Sequence, residues 1–214
     1  MTITERKNRR CQKQATGFAS SFGRRFRKNT LCYLFSVFAW VATLGLNSLT
    51  AQNYPTAAAT EFSDSFRSWL LYADEDAEGT LKLRWDFRDD WTEWEYRIGE
   101  RFGSIKQKWT GNPNEWELRG ENLIVRMQTV FNNDFSRWRV SDGTHRFEFR
   151  TRYGNRADEW GVRDPDRHGD LQIYSTYADD PRDWEIVDDL DEEIPFATKI
   201  ALIFLAIHHS SPNE

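Results

Sequence analysis

Residues 115–153 decide the fold, and they read EWELRGENLIVRMQTVFNNDFSRWRVSDGTHRFEFRTRY. Within this stretch Trp116 and Trp138 stand 22 residues apart, and each is followed two positions later by an apolar residue, Leu118 or Val140. Residues two apart on a strand point to the same side of a sheet. Because polar residues occupy the positions between them, the stretch predicts strands with one buried face.

The same pattern repeats along residues 66–207. The repeating tryptophans, with spacings of 25, 22, 22, 22 and 24 residues, are Trp69, Trp94, Trp116, Trp138, Trp160 and Trp184. A second alternating segment follows each tryptophan, and turns rich in Gly, Asn and Asp separate the segments. One period therefore predicts one β-hairpin. We expect an all-β antiparallel meander of about six hairpin repeats of ~22 residues, closing into a barrel or a sandwich with the six tryptophans in its core.

The apolar segment 194–207 is the candidate cover for the buried face of this sheet. Acidic residues precede it, Pro195 stands near its start, and His208 and His209 follow it, which is the order that favours a helix. Such a helix would be ~21 Å long, about the length of a six-residue strand. We therefore expect a C-terminal helix packed on or in the sheet domain. A buried strand is the alternative, since periodicity does not separate the two.

The N-terminal segment 1–51 has the composition of a signal peptide. Nine Lys and Arg residues within the first 30 positions precede an uncharged apolar run at 31–46, and Ala51 offers a cleavage position. The run is shorter than the ~20 residues of a membrane-spanning helix. We therefore predict export through the inner membrane to the periplasm, the cell surface or the medium, with an uncleaved anchor as the alternative. Residues 52–65 are then a linker, and residues 208–214 are a tail.

Removal of this segment changes the charge and the chemistry of the chain. Residues 52–214 retain 20 basic and 33 acidic residues and have no Cys. An acidic domain lacks the clustered cations of a general nucleic-acid binder, and a domain without Cys has no disulfide, thiolate metal site or Cys nucleophile. The sequence also contains no Gly-x-Ser-x-Gly, His-Glu-x-x-His, phosphate-loop or dinucleotide motif. We therefore predict that the protein is not an enzyme.

One turn has side chains that suit a metal ion. Asp164, Asp166, His168 and Asp170 surround Gly169 in an arrangement similar to a calcium loop. A His in the fifth position and the lack of a Glu at the twelfth depart from that pattern, which favours a solvated turn. Calcium or zinc is the candidate cofactor if these residues converge. His145 would join His168 in a shared metal or acid–base site if the two turns lie at the same edge of the sheet.

Two other features point to binding. Trp91 and Trp109 break the repeat pattern, so we interpret them as exposed aromatic residues that contact a ligand. Acidic residues gather in the turns and near the ends of the domain, where an acidic loop edge would attract divalent cations or a basic partner.

Together these features predict an exported, non-enzymatic binding or structural module of the bacterial cell envelope. The acidic loop edge and the exposed aromatics would contact another envelope protein or a glycan. A soluble ligand-carrier β-barrel is the main alternative, and an unfilled interior would favour it. A metal-dependent hydrolase and a small integral outer-membrane barrel are further alternatives, but the strands are nearer six residues than the ~10 that a bilayer requires.

Overall fold

A computed structural model describes residues 54–73, 76–88, 90–154, 156–163 and 165–212. These residues lie within a compact unit, Ala51–Glu214. The segment predicted as a signal peptide lies outside the described residues. The unit contains twelve β-strands, and both strands that close the barrel belong to it.

The strands are six to nine residues long in most cases, and two helices accompany them. They are β1 Ala57–Phe62, β2 Ser65–Ala73, β3 Asp76–Leu83, β4 Glu93–Ile98, β5 Arg101–Gln107, β6 Glu115–Gly120, β7 Leu123–Thr129, β8 Arg137–Ser141, β9 Arg146–Tyr153, β10 Arg156–Val162, β11 Gly169–Tyr177 and β12 Asp180–Leu190. A 3-10 turn spans Asp86–Arg88, a single turn of helix α1 spans Pro165–His168, and helix α2 spans Phe196–Ser210.

Every strand pairs antiparallel with its neighbours in the chain, and β1 pairs with β12 to close the barrel. The predicted meander is thus confirmed, and of the two predicted closures it forms the barrel. Five predicted repeats are hairpins, beginning with β2 and β3. The sixth tryptophan period is completed differently, since β12 pairs with β1 from the other end of the chain, with Ala58 opposite Trp184.

Helix α2 occupies the interior of the barrel. Every residue from Phe196 to His208 is buried, so no side of the helix faces water along that length. The six repeating tryptophans are at most 1% exposed, which confirms their predicted place in the core. Rings of Trp94 and Trp116 pack against Phe204 of the helix, with centroids 5.8 and 5.2 Å apart. Twelve strands enclose more space than side chains alone fill in an eight-stranded barrel, and the helix occupies it.

Each of the six repeating indoles makes the same type of hydrogen bond. Each Nε1–H donates to the backbone carbonyl three residues earlier in the chain, at 2.8 to 3.1 Å, as Trp116 does to Pro113 and Trp138 does to Phe135. A buried N–H without a partner costs about 1–3 kcal/mol. Because the acceptor lies at the start of each even-numbered strand or in the turn just before it, every indole is satisfied within its own repeat.

Two glycines make room for the inward-facing ring of Tyr96. A Cβ at Gly103 would lie 2.4 Å from Tyr96 Cε1 and 2.6 Å from the carbonyl oxygen of Arg119. A Cβ at Gly120 would lie 2.2 Å from the Tyr96 hydroxyl. The ring therefore covers the backbone of β5 and β6 where these strands lack side chains, and burial raises the pKa of its hydroxyl.

The predicted bounds of the linker and of the C-terminal helix are wrong, and the helix begins at Phe196 and not at Ile194. Strand β1 lies inside the segment 52–65 that was predicted as a linker, because AAATEF has small residues in place of the large apolar residues that mark a strand. Helix α2 continues to Ser210, past the predicted end at Ile207, because Ser210 Oγ bonds the carbonyl oxygen of Ala157 and extends the helix contact with β10. In the described part of the chain, no helix has both the length and the apolarity to cross a bilayer.

The close approach of Tyr96 gives a first test of this packing. We expect Gly103→Ala to lower the free energy of unfolding by about 1–3 kcal/mol, since the new methyl group meets a buried ring and a backbone oxygen. Gly154→Ala is the matched control, because a Cβ there meets nothing within 4 Å. Chemical denaturation of both variants measures the difference. Equal stability of the two variants would contradict the packing of Tyr96 against β5.

Candidate functional site

The antiparallel order gives the barrel two different ends. The connections that precede the even-numbered strands all lie at one end, which also holds the repeating tryptophans, and we call it the tryptophan end. The connections that follow the even-numbered strands lie at the other, the acidic end. Helix α2 starts at the acidic end, where Thr198 contacts Asp142, and finishes at the tryptophan end, where His208 contacts Trp94 and Trp116.

An exposed aromatic residue stands in, or directly before, each of the six connections at the tryptophan end. We call these six residues the aromatic crown, and they are Phe62, Phe87, Trp109, Phe131, Tyr153 and Tyr177. Each lies seven positions before a repeating tryptophan, so the spacings of the crown equal those of the buried series. Their exposure lies between 52% and 77%, whereas the tryptophans that follow them are buried. The repeat therefore specifies an exposed ring as regularly as it specifies the core.

Strand register explains why the crown is exposed. Trp138 pairs with Thr129, which is buried, and Phe131 lies two positions further on, beyond the last pair of the ladder that faces the core. Side chains alternate along a strand, so Phe131 points to the same side as the inward-facing Thr129. It nevertheless lies beyond the edge of the barrel and is exposed. The connection between β3 and β4 is longer, so Trp85 takes the equivalent register position and Phe87 packs edge-on to it at 6.1 Å.

Local hydrogen bonds hold the connections below the crown. In five of the six, the side chain four residues before the tryptophan accepts a bond from the backbone N–H two residues later, as Asp134 Oδ1 does from Ser136. Such turns, which Asp, Asn and Ser favour, fix the chain without help from neighbouring strands. The indole bonds the carbonyl of the residue directly after this acceptor, as Trp138 does to Phe135 after Asp134, so the two bonds together fix the backbone beside the crown in these five repeats.

Cationic groups accompany three members of the crown. The guanidinium of Arg88 lies 5.3 Å from the ring centre of Phe87, Lys108 Nζ lies 5.4 Å from that of Trp109, and Arg152 lies over Tyr153. These contacts have the range of cation–π interactions, which contribute about 0.5–1 kcal/mol at exposed sites. They place a positive charge beside an apolar ring at several points of the same rim.

The end of helix α2 closes the opening of the barrel at the tryptophan end, inside the ring of crown residues. The ring of His208 lies between Trp116 and Phe204, with centroids 5.0 Å from each, and that of His209 stacks on Trp138 at 4.7 Å. Burial lowers the pKa of His208 to about 4, and it lowers the pKa of His209 well below its ordinary value, with a smaller contribution from His208. Beside the helix end, Asp158 and Ser210 line an open cleft of about 240 Å³.

The acidic end holds the residues that the sequence suggested for metal binding. His145 and His168 lie close, with ring centroids 5.3 Å apart, so the expected meeting of their two turns is confirmed. His145 Nδ1 lies 3.0 Å from Asp142 Oδ2, and this oxygen also accepts a bond from Thr198 Oγ1. Hydrogen bonds from His145 and Thr144 lower the pKa of Asp142, although burial opposes this. A carboxylate on Nδ1 is the partner that orients a metal-binding or basic imidazole.

Of the four metal candidates, the structure describes the side chains of His168 and Asp170. Asp164 and the side chain of Asp166 lie outside the described residues, and Asp170 accepts a hydrogen bond from Gln172. Within the described residues, no group of three His, Cys, Asp or Glu side chains is arranged to hold a metal ion. Metal binding by Asp164, Asp166, His168 and Asp170 therefore stays a prediction.

The two aromatic candidates differ in their surroundings. Trp109 is exposed, as predicted, and belongs to the crown. Trp91 is half-buried and not exposed as predicted, because its ring packs against Trp94 at 5.9 Å and the guanidinium of Arg67 lies 5.7 Å above it, and a ligand contact by Trp91 stays a prediction. Sequence reasoning missed the other five members of the crown. Their constant distance of seven residues from the repeating tryptophan was the signal that identifies them.

The acidic loop edge is partly used for folding. Asp188 Oδ2 lies 2.7 Å from Lys199 Nζ, and both side chains are nearly buried. The same ammonium group lies 3.9 Å from the ring centre of Tyr54, which stacks on Phe196. These contacts and the bond between Thr198 and Asp142 fix the start of helix α2, so Asp142 and Asp188 are not free for a basic partner.

No family model, curated protein or solved structure matches the chain.

The buried histidines predict a pH dependence of stability. A His whose folded-state pKa is lowered binds its proton mainly after unfolding, so stability falls as pH drops from about 6.5 towards 4, by up to ~1.4 kcal/mol per pH unit for each His. His208→Phe keeps an aromatic ring and removes the titration, so its stability profile should be flatter in this window. Chemical denaturation across the pH range measures both profiles. Identical slopes would contradict burial of a neutral His208.

The metal hypothesis has a direct test. It predicts that zinc or calcium raises the melting temperature of the unit Ala51–Glu214, and that His168→Gln with Asp170→Asn removes the rise. Asp86→Asn, which changes an exposed carboxylate at the tryptophan end, is the control for non-specific binding of metal to the surface. An unchanged melting temperature at millimolar metal would exclude a site of this kind.

Proposed function

We propose that this protein is an exported, non-enzymatic binding module of the bacterial cell envelope and that it binds its partner through the aromatic crown. The observation that carries the proposal is the crown itself, six exposed aromatic rings at one end of a barrel, each in the same position of its repeat. Folding does not require exposed rings at these positions, since the indoles and helix α2 already fill the core. An exposed ring repeated six times is typical of a contact surface.

The filled interior supports a binding module over a ligand carrier. A carrier barrel binds its ligand in a cavity inside the strands, whereas here helix α2 is buried from Phe196 to His208 within the barrel. Contacts at both ends hold the helix, through Lys199 at one end and Ser210 at the other. Binding through the rim needs no movement of the helix.

The charged outer face of the strands favours a barrel that is surrounded by water. Cross-strand ion pairs cover it, including Lys82 with Glu95 and Arg163 with Glu148, whereas a barrel embedded in lipid presents an apolar band. These pairs are exposed and contribute little to stability, so solubility and strand register are their main effects. The crown is therefore the apolar surface that a partner would recognise.

Export is the part of the proposal that rests on the N-terminal composition. The basic residues before the apolar run at 31–46 favour a signal peptide, and the compact unit begins at Ala51, where cleavage is predicted. The partners that such a module meets are envelope proteins, glycans and lipids. The acidic end remains a second contact surface for a basic partner or divalent cations.

Sedimentation with washed bacterial envelope fragments tests this function. The unit Ala51–Glu214, whose core and barrel are complete, should sediment with the fragments, and the triple variant Trp109→Ser, Phe131→Ser, Tyr153→Ser should remain in solution. Phe102→Ser is the matched control, since Phe102 is 64% exposed but lies outside the crown. Because the substituted rings are exposed, thermal melting should show each variant folded. Equal sedimentation of the wild type and the triple variant would refute the proposal.

A further inference from the structure

We propose that the partner of the aromatic crown is a phospholipid bilayer, on which the barrel stands with its tryptophan end in the headgroup region. The inference rests on the proposed function, since it names the class of partner for the same surface. Four features point to a lipid interface: the composition of the crown, the spacing of its rings, the charges beside it and the ion pairs on the outer face next to it.

The composition of the crown suits the interface between water and lipid. All six members are aromatic, with three Phe, two Tyr and one Trp, and none is aliphatic. Trp and Tyr concentrate at the headgroup level of membranes, where an apolar ring and a polar edge are both satisfied, and Phe is among the residues that interfacial segments bury just below it. Of the nine large apolar side chains that are exposed in the described residues, six belong to the crown. The exposed apolar surface is therefore concentrated at one end of the molecule.

The spacing of the crown suits a partner without fixed binding pockets. Strands ~4.8 Å apart with a tilt of about 40° put successive hairpins roughly 12 Å apart along the rim. Rings this far apart, with polar turns between them, do not form a continuous groove for a helix or a strand. A protein would need a matching pocket every 12 Å around a circle, whereas a bilayer accepts separate anchors at any position in one plane.

The charges beside the crown fit the phosphate layer. Arg88, Lys108 and Arg152 each lie next to a crown ring, where their charged groups would lie at the level of the phosphates while their stems stay with apolar surface. Lys108 and Arg152 also pair with Glu115 and Glu159. Acidic residues in the same connections, such as Asp86 and Asp134, offset these cations. The rim is therefore not strongly basic, so apolar insertion dominates and zwitterionic lipid should bind.

The depth of insertion is limited by ion pairs that start directly behind the crown. Lys108 pairs with Glu115 at 3.0 Å, and Arg84 pairs with Glu93 at 3.6 Å, both on the outer face next to the connections. Burial of these charges in hydrocarbon would cost several kcal/mol for each ion. The barrel consequently rests on the membrane with only its connections inserted, and its acidic end points away.

Flotation with lipid vesicles tests this inference. The unit Ala51–Glu214 should float with phosphatidylcholine vesicles, and addition of phosphatidylglycerol or high salt should change the bound fraction little. The triple variant Trp109→Ser, Phe131→Ser, Tyr153→Ser should bind more than about tenfold more weakly, because three rings no longer transfer apolar area from water to lipid. Phe102→Ser should bind like the wild type.

Fluorescence locates the inserted ring. Trp109 is the exposed Trp of the described residues, so its emission should shift to the blue when vesicles are added. Trp109→Phe keeps an aromatic anchor and should bind with a smaller shift, the remainder coming from the half-buried Trp85 beside Phe87. Lipids brominated near the headgroup should quench the emission more than lipids brominated at the chain ends, as shallow insertion requires.

The outcomes separate this inference from the proposed function. Crown-dependent sedimentation with envelope fragments but no flotation with vesicles would overturn the lipid assignment and leave binding through the crown intact. Flotation that is equal in the wild type and the triple variant would also overturn it. A crown-dependent dimer in sedimentation velocity, without flotation, would identify a second copy as the occupant instead.

Discussion

The hydrogen bond from each indole to the carbonyl three residues before it is the constraint on which the structure depends. It lets a large aromatic ring enter a dry core without an unpaired N–H, and it does so within one repeat. The same bond fixes the backbone where each even-numbered strand begins. Core packing and loop shape are therefore set by one residue type, and six copies of the bond build a complete end of the barrel.

A barrel built in this way encloses more volume than its strand side chains fill, and helix α2 completes the core. The helix is held by a nearly buried ion pair and a carboxylate at the acidic end, and by histidine stacking on indoles at the tryptophan end. An interior filled by the chain itself leaves the rims and the outer face as contact surfaces. Ion pairs cover the outer face, so the exposed apolar surface is concentrated in the crown.

Periodicity of the sequence predicted the meander, the buried tryptophans and the C-terminal helix, because each depends on local spacing that strands and helices impose. Closure by β1 was not visible, since AAATEF lacks large apolar residues and pairs with a strand from the other end of the chain. Trp91 was misassigned because the contact with Trp94 depends on the shape of its turn. The crown was missed because an exposed aromatic at a strand end has the same local pattern as a core residue. Only register distinguishes Phe131 from Thr129.

Helix α2, buried along its length and held at both ends, is a permanent part of the barrel core. Hydrogen exchange of the backbone amides in residues 196–210, followed by mass spectrometry, tests it most directly. A helix that is buried on all sides and held at both ends should exchange only when the whole domain unfolds, at the same rate as the central strands β6 and β7. Exchange of the helix well before those strands would show that it leaves the barrel, and would contradict the account.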